Sequence, residues 1–280
     1  MPGKLIICPT PLGNLGDMTQ RALDALRAAD TVCAEDTRVT GKLLAALGVE
    51  GKRLERLDEN VIAQRAAEIT ARIIDGETIA YCTDAGMPGV SDPGLRLVRT
   101  ARAAGVPVDV LPGPTAVATA YVASGCIDQA FFFGGFFPRK DVARRQLLEQ
   151  LKPLQAALIF YESPNRLVGA LRVIAETLPL RGVAVCRELT KLHEEVVRGP
   201  ALQVAEEFAQ RETVKGEIAI VIDGPGNDER EADEAAATAE AATRARELAA
   251  QGMRPKEITR HLVEEFHIPK NAAYNIALHA

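Results

Sequence analysis

The sequence predicts two consecutive α/β domains followed by a small helical module. In residues 1–113, short apolar runs alternate with longer segments whose apolar residues recur at helical spacing. This alternation is typical of β-α-β units that form a parallel sheet. In residues 114–224, some predicted strands follow one another with no helix between them, which favours a mixed sheet. An acidic, alanine-rich stretch, 225–250, and a helical tail, 251–280, complete the chain.

The first domain is predicted to contain five strands and four helices. The strands are residues 5–8, 31–34, 53–57, 78–82 and 107–111, and the helices are 19–29, 39–47, 61–74 and 94–104. In the first helix, apolar residues such as Ala22 and Leu26 share one face. Gly48 and Gly105 end two of the helices, since glycine readily adopts the conformation that follows a helix.

The second domain is predicted to begin near Pro114. Its strands are residues 130–137, 157–161, 183–187, 194–198 and 217–222, and its helices are 115–123, 142–151, 166–177 and 201–210. The run AFFFGGFF reads as a strand that its glycines interrupt. After a Gly-Pro-Gly start, we expect residues 225–250 to be a linker that becomes helical after Glu234. In the tail, apolar spacing and Pro269 predict two short helices.

Composition excludes several classes of protein. The apolar run at the N-terminus is short and precedes prolines, so it predicts a strand and not a signal peptide. No segment approaches the roughly 20 apolar residues that span a membrane, and we expect a cytoplasmic protein without membrane association. The five cysteines and four histidines show no paired spacing, which predicts no metal site and buried thiols in a reducing compartment.

The net charge of −5 is concentrated in one region. Residues 223–250 contain eight acidic and three basic side chains, so the rest of the chain is neutral overall. Local basic clusters therefore remain possible and would suit nucleic acid. One follows AFFFGGFFP and consists of Arg139, Lys140, Arg144 and Arg145. A second lies in the tail and consists of Arg254, Lys256, Arg260 and Lys270.

Unusual loops follow four predicted strands of the first domain. They are residues 9–14, 35–38, 83–88 and 112–116. Because ligands bind outside the carboxyl ends of parallel strands, these loops should line one rim. Their glycines allow close approach and their prolines hold the turns rigid, which suits an adenine edge or an amino-acid carboxylate. Asp36 and Asp84 would complement a cation, although each loop alone can also be an ordinary turn.

The same loops and several later motifs resemble a known family. The motifs are PTPLGNL at 9–15, AEDTR at 34–38, SDPG at 91–94, LPGP at 111–114, FYES at 160–163, RELTK at 187–191, KGE at 215–217 and PKNA at 269–272. They are similar to the 16S ribosomal RNA (cytidine-2′-O)-methyltransferase family of the tetrapyrrole methylase superfamily. The resemblance implies two α/β domains with S-adenosyl-L-methionine in the cleft between them. It also implies a homodimer that acts on 16S rRNA in the small ribosomal subunit.

The resemblance also implies which residues bind the cofactor. The candidates from the rim loops and the SDPG motif are Pro11, Gly13, Asn14, Asp84, Ala85, Gly86, Met87, Pro88, Ser91, Pro112, Gly113, Pro114 and Thr115. Residues 84–88 resemble the loop around the methionine portion, and residues 112–115 resemble the loop near the adenosine. Met87 stands where the resemblance leads us to expect a small or hydroxyl residue.

Ribose methylation is an in-line displacement in which an acceptor or base assists the weakly nucleophilic hydroxyl. The catalytic candidates at strand ends are Asp36, Arg38, Glu162, Glu188 and Lys191. Lys191 can act as a base only if burial or Arg187 lowers its pKa, and Arg38 is the better candidate for a phosphate contact. Each of these residues could instead belong to a structural ion pair.

Two other functions remain open. One is a methyltransferase of the same fold that acts on a small tetrapyrrole-like substrate. The other is a nucleic-acid-binding regulator whose tail reads DNA. The phenylalanines of AFFFGGFF could stack on bases, but at least two of residues 131–133 are expected to be core.

Overall fold

The computed structural model describes residues 3–266 and 268–280 and divides into two compact units, Met1–Gly224 and Pro225–Ala280. Each unit has its own buried apolar clusters. No helix in these described ranges is both long and apolar enough to cross a lipid bilayer.

A five-stranded parallel sheet forms the first part of the larger unit. Its strands are β1 (Leu5–Ile7), β2 (Thr31–Ala34), β3 (Arg53–Arg56), β4 (Ile79–Cys82) and β5 (Val108–Val110), in the order β3-β2-β4-β1-β5. The helices are α1 (Gln20–Ala28), α2 (Thr37–Ala46), α3 (Glu59–Ile74) and α4 (Gly94–Ala103). Because successive strand residues point to opposite faces, Leu5 and Ile7 pack in one cluster with α3 and α4, whereas Ile6 packs in another with α1 and α2.

A second sheet of five strands is mixed, as the sequence predicts. Its strands are β6 (Phe131–Phe136), β7 (Ala157–Glu162), β8 (Gly182–Arg187), β9 (Glu195–Pro200) and β10 (Ile218–Ile222), in the order β6-β7-β10-β8-β9. Only β6 and β7 run parallel, and the other pairs are antiparallel. The helices are α5 (Ala116–Ala123), α6 (Asp141–Leu151), α7 (Leu167–Thr177) and α8 (Ala201–Ala209).

The two faces of the second sheet pack differently. Helices α6, α7 and α8 cover one face in a large cluster around Phe160 and Ile220. The opposite face carries a smaller cluster, in which Ile159 and Val221 pack with α5. This second face is the one that contributes to the candidate site described below.

The smaller unit contains α9 (Asn227–Ala250), α10 (Pro255–Phe266) and α11 (Lys270–Leu278). Residues 225–250, treated above as a linker that becomes helical after Glu234, are helical from Asn227. The last part of α9 is buried against the other two helices. The residues of this shared cluster include Ala241, Ala245, Leu248, Ile258, Leu262 and Ala273. The tail is therefore part of a three-helix unit, because α9 supplies the apolar surface on which α10 and α11 pack.

Candidate active site

A cavity of about 340 Å³ lies between the first-sheet loops and the face of the second sheet that packs on α5. This volume is within the range of small-molecule sites, roughly 300–1,000 Å³. Of the residues predicted from the sequence, Glu162 lines the cavity together with Ala85, Gly86, Met87 and Thr115. The cavity therefore brings together residues that follow β4 and β5 with the end of β7.

The loops after β1 and β4 are joined by backbone hydrogen bonds. The N–H of Thr10 donates to the carbonyl of Gly86, and the N–H of Gly86 donates to that of Thr10, both at 3.0 Å. Gly86 has φ of +81°, and a Cβ at this position would lie 3.1 Å from Leu12 Cδ2. A side chain would thus be both strained and crowded, so the backbone itself forms this wall of the cavity.

The loop that precedes α4 is shaped by Asp92. Its Oδ1 accepts the N–H groups of Gly89 at 2.7 Å and of Gly94 at 2.9 Å. Ser91, between them, has φ of +67°, an uncommon conformation for a residue with a side chain. Neither Ser91 nor Pro88 is among the residues that line the cavity. Pro88 and Ser91 are therefore part of the loop, whereas the neighbouring Met87 and Val90 line the cavity itself.

Several other predicted cofactor residues lie in the loops but do not line the cavity, and the contacts described for them are with other parts of the protein. The group consists of Pro11, Gly13, Asn14, Asp84, Pro112, Gly113 and Pro114. A Cβ on Gly113 would lie 2.4 Å from Pro9 Cγ, and one on Gly13 would lie 2.4 Å from Lys191 Cγ. Asn14 accepts the N–H of Gly16 at 3.0 Å. In these positions the need for glycine arises from packing within the protein.

Asp36 and Arg38 lie at the start of α2, away from the cavity lining. Asp36 Oδ2 is 2.6 Å from Arg38 Nη2, and its Oδ1 accepts the Arg38 N–H at 2.8 Å. The hydrogen bonds from Arg38 hold the pKa of Asp36 well below its usual value. The Asp36 N–H in turn donates to Asp84 Oδ1 at 3.2 Å, while burial raises the pKa of Asp84. Asp84 therefore links two neighbouring loops.

Glu162 is buried, and both of its carboxylate oxygens have partners within the protein. Its Oε2 lies 2.7 Å from Arg144 Nη2, and its Oε1 lies 2.5 Å from Arg166 Nη2. Oε1 also accepts the N–H of Ser163 at 2.7 Å. The Arg144 side chain is only 3% exposed, so this member of the predicted basic cluster is not available to phosphate. Although Glu162 lines the cavity, its contacts are those of a carboxylate that fixes two arginines.

Lys191 lies between two carboxylates. Its Nζ is 2.8 Å from Glu188 Oε1 and 3.0 Å from Glu217 Oε2. Burial disfavours the charge, but the hydrogen bonds to Glu188 and Glu217 outweigh it and raise the pKa of Lys191. The lowered pKa that a lysine base requires is therefore not present, and Lys191 remains a cation.

The backbone around this group is unusual. Glu188 and Thr190 have φ of +52° and +67°, although neither is glycine. The neighbouring Gly216 leaves room for Glu188, since a Cβ there would lie 2.4 Å from Glu188 Cγ. Such strained positions tend to cluster at functional sites, where surrounding contacts hold them. The RELTK motif is thus held in one defined conformation at the cavity.

Sequence reasoning missed several residues of the cavity. Glu217 lines it because β10 is antiparallel to β7 and β8, which places Ile218 opposite Glu162 and Arg187. Leu12 and Ala116 lie in predicted rim loops but were not named as cofactor residues. The other missed members are Val90, Phe136, Tyr161, Ser163, Pro164, Cys186, Leu189, Gly216, Ile218 and Ala219. Most of them are apolar and read as ordinary strand or core residues. The KGE motif marked Glu217 in the sequence, but only the pairing of β10 with β7 and β8 shows that Glu217 lies at the cavity.

The residues present fit S-adenosylmethionine. At Gly86 the backbone carries no side chain, so the loop can come close to a bound molecule in the cavity. Leu12, Val90 and Leu189 provide apolar walls, and the Glu217 carboxylate complements the positive charge of a sulfonium group. The cavity thus offers a backbone wall, apolar surface and an anionic group in one place.

Comparison with known proteins gives a consistent result. Residues 4–205 match the family model of Tetrapyrrole (Corrin/Porphyrin) Methylases. The chain is 39% identical to ribosomal RNA small subunit methyltransferase I of Halalkalibacterium halodurans, over 98% of this chain and 94% of that one. It is 40% identical to the protein of the same name from Escherichia coli O157:H7, over 99% of this chain and 95% of that one.

Solved structures with low sequence identity show the same fold. The crystal structure of diphthine synthase aligns with a TM-score of 0.63 and 13% identity, covering 79% of this chain and 90% of that one. These comparisons confirm the predicted fold class. The chain therefore belongs to the tetrapyrrole methylase family and is an S-adenosylmethionine-dependent methyltransferase.

Proposed function

We propose that this methyltransferase modifies the ribose 2′-oxygen of a cytidine in 16S rRNA of the small ribosomal subunit. The observation that carries the proposal is the meeting of three motifs at one cavity. Glu162 of FYES, Leu189 of RELTK and Glu217 of KGE all line it, opposite the first-domain loops. The relatives named ribosomal RNA small subunit methyltransferase I match nearly the whole chain, which supports an RNA substrate.

S-adenosylmethionine supplies an electrophilic methyl group when it is bound. The protein must hold the 2′-oxygen about 3 Å from that methyl and in line with the bond that breaks. Apolar residues such as Val90 and Leu189 exclude water from this space. The backbone wall at Gly86 restricts the position of the cofactor, so that the second sheet can position the ribose.

We propose Glu217 as the hydrogen-bond acceptor for the 2′-hydroxyl. The carboxylates of Asp36, Glu162 and Glu188 are already engaged with cations or backbone N–H groups. Glu217 lines the cavity with a side chain that is 73% exposed, and only its Oε2 is bonded to Lys191 among the described hydrogen bonds. Its other oxygen can accept the hydroxyl proton as the methyl group is transferred.

Exposed cations would provide the phosphate contacts. The Arg38 side chain is 86% exposed, and Arg139 and Lys140 are also exposed. Such contacts position an RNA without reading its sequence, and they weaken as salt rises. We propose that Arg38 binds a phosphate while its pair with Asp36 holds the guanidinium in place.

We also propose that the enzyme is a cytoplasmic homodimer. A cytoplasmic location follows from the proposed ribosomal substrate. The dimer is what the family resemblance implies, and light scattering of the purified full chain measures it directly. A single species with the mass of one chain would contradict the dimer without affecting the proposed reaction.

Transfer of labelled methyl groups tests the proposed reaction. Purified protein is incubated with methyl-labelled S-adenosylmethionine and small subunits from a strain that lacks the enzyme. We expect label in 16S rRNA, on the 2′-oxygen of a cytidine when the digested nucleosides are analysed by mass spectrometry. Subunits from the parent strain are the control and should take up little label. Transfer to a porphyrinoid but not to subunits would contradict the proposal and favour the tetrapyrrole alternative.

A further inference from the structure

Strand β6 contains a bulge that changes the direction of its last residues. Phe133 pairs with Ile159, but Phe136 pairs with Tyr161, so three steps on β6 match two on β7. Gly135 lies in this interval with φ of +69°. A bulge adds one residue to a strand and reverses which side chains face each side of the sheet.

The bulge places Phe136 on the cavity face. Without it, Phe133 and Phe136 would point to opposite faces, since their spacing is odd. Instead, the rings of both contact Tyr161, with centroids 4.9 Å and 5.6 Å from it. The next residue, Phe137, is buried in the cluster on the opposite face. The bulge thus sends one ring into the core and the adjacent ring to the cavity.

Phe136 is an exposed aromatic residue at the mouth of the cavity. It is one of the residues that line the cavity, and 62% of it is exposed to solvent. The ring of Tyr161 packs on that of Phe136 at an interplanar angle of 70°, and the rest of the Phe136 ring is accessible to solvent. Arg139 and Lys140 follow three and four residues later in the chain and are exposed. Proteins hold unpaired nucleotides with exposed aromatic rings together with cations on the same surface.

We propose that Phe136 stacks on a nucleobase of the RNA substrate and thereby holds the ribose at the cavity. The inference rests on the proposed function and specifies how the site receives its substrate. Methylation of a ribose requires that the nucleotide leave its neighbours far enough to enter the cavity. Stacking on an aromatic ring offsets part of the free-energy cost of unstacking the nucleotide, and it does so for any base.

Substitutions at Phe136, compared with the same substitution at Phe131, test the proposal. Phe136→Leu keeps an apolar side chain and removes the aromatic face, whereas Phe136→Trp keeps an aromatic face. Phe131→Leu is the control, because Phe131 is also an exposed ring on β6 but packs on Tyr121 and is not among the residues lining the cavity. For each protein we would measure kcat/KM with small subunits, affinity for S-adenosylmethionine by calorimetry, and binding of a single-stranded oligoribonucleotide.

For Phe136→Leu we expect kcat/KM to fall on the order of 10- to 100-fold, with weaker binding of the oligoribonucleotide and unchanged cofactor affinity. Phe136→Trp should retain most of the activity, and Phe131→Leu should behave like the wild type. The proposal is overturned if Phe136→Leu is fully active and binds the oligoribonucleotide normally. Loss of cofactor affinity would overturn it too, since the ring would then serve the cofactor. A wild type that labels no subunit would refute the proposed function, and the oligoribonucleotide measurement would still decide whether Phe136 stacks.

Discussion

The two walls of the cavity are built in different ways. The first-sheet wall combines the backbone at Gly86 with apolar side chains such as Leu12 and Val90, and the charged side chains nearby hold loops together. On the second-sheet wall, the Glu162 and Glu217 carboxylates line the cavity and are held in ion pairs, Glu217 with Lys191, which is not itself a lining residue. We propose that the backbone geometry of the first wall fixes the cofactor, whereas the Glu217 carboxylate of the second wall meets the substrate.

This difference determines how each wall should respond to mutation. A backbone wall tolerates the loss of side chains but not an added Cβ where φ is positive. A wall of ion-paired side chains is sensitive to the loss of one charged partner, because the charge of the other partner is then left uncompensated. Mutations of both kinds can therefore separate the two walls.

The largest effect is expected for Glu162→Ala in the second wall. Removal of this buried carboxylate leaves the buried Arg144 with only the exposed Asp141 as an ionic partner, and breaking such a buried pair typically lowers the free energy of unfolding by about 3–5 kcal/mol. For a unit of this size, that corresponds to a fall in Tm of roughly 10 °C. Thermal unfolding measures the change, and Glu149→Ala, which removes an exposed acid from α6, is the control. A variant with the Tm of the wild type but no methyl transfer would instead make Glu162 catalytic.

An intermediate effect is expected for Gly86→Ala in the first wall. The strained backbone and the contact with Leu12 should displace the loop, and a strain of about 1–3 kcal/mol corresponds to roughly 10- to 100-fold weaker binding of S-adenosylmethionine. Calorimetry measures the affinity. Gly48→Ala is the matched control, because Gly48 also has a positive φ, +65°, but a Cβ there meets no atom within 4 Å. Equal cofactor affinity in the two variants would show that the Gly86 backbone does not shape the site.

The first wall was the more predictable of the two from sequence. Its strands are short apolar runs separated by helices, so their local pattern indicated a parallel sheet and placed the loops at one edge. Ala85, Gly86 and Met87, which the sequence places in one of these loops, line the cavity, and their role in cofactor binding stays a prediction. Local pattern did not show that Gly13 and Gly113 are required by packing against Lys191 and Pro9, since those contacts join distant segments.

The second wall depends on pairings that the sequence does not show locally. Glu217 reaches the cavity only because β10 pairs antiparallel with both β7 and β8, and Phe136 only because β6 contains a bulge. Tertiary packing also decided the structure of residues 225–250. Their acidic, alanine-rich composition favoured a linker, but the small apolar face that includes Ala241 and Ala245 is buried in the three-helix cluster.

The smallest effect is expected for Lys191→Met, and its pH dependence is the informative part. Hydrogen bonds to Glu188 and Glu217 outweigh burial and raise the pKa of Lys191 above its ordinary value of 10.5. The folded state thus stabilises the protonated form, and this contribution is lost only as the pH rises through that raised pKa. From roughly pH 6 to pH 9, Lys191 should therefore stay charged and cause no inflection in the rate.

We accordingly expect Lys191→Met to lower kcat/KM by roughly five- to tenfold at every pH in that range, because Glu217 loses the cation that positions it. The pH profiles of the variant and the wild type should be parallel, and Lys191→Arg should recover part of the loss by retaining the charge. A wild-type rate that rises with pH, beside a flat profile for Lys191→Met, would mean that Lys191 loses its proton during catalysis. Lys191 would then act as a neutral amine that accepts a proton, and not as a fixed cation that positions Glu217.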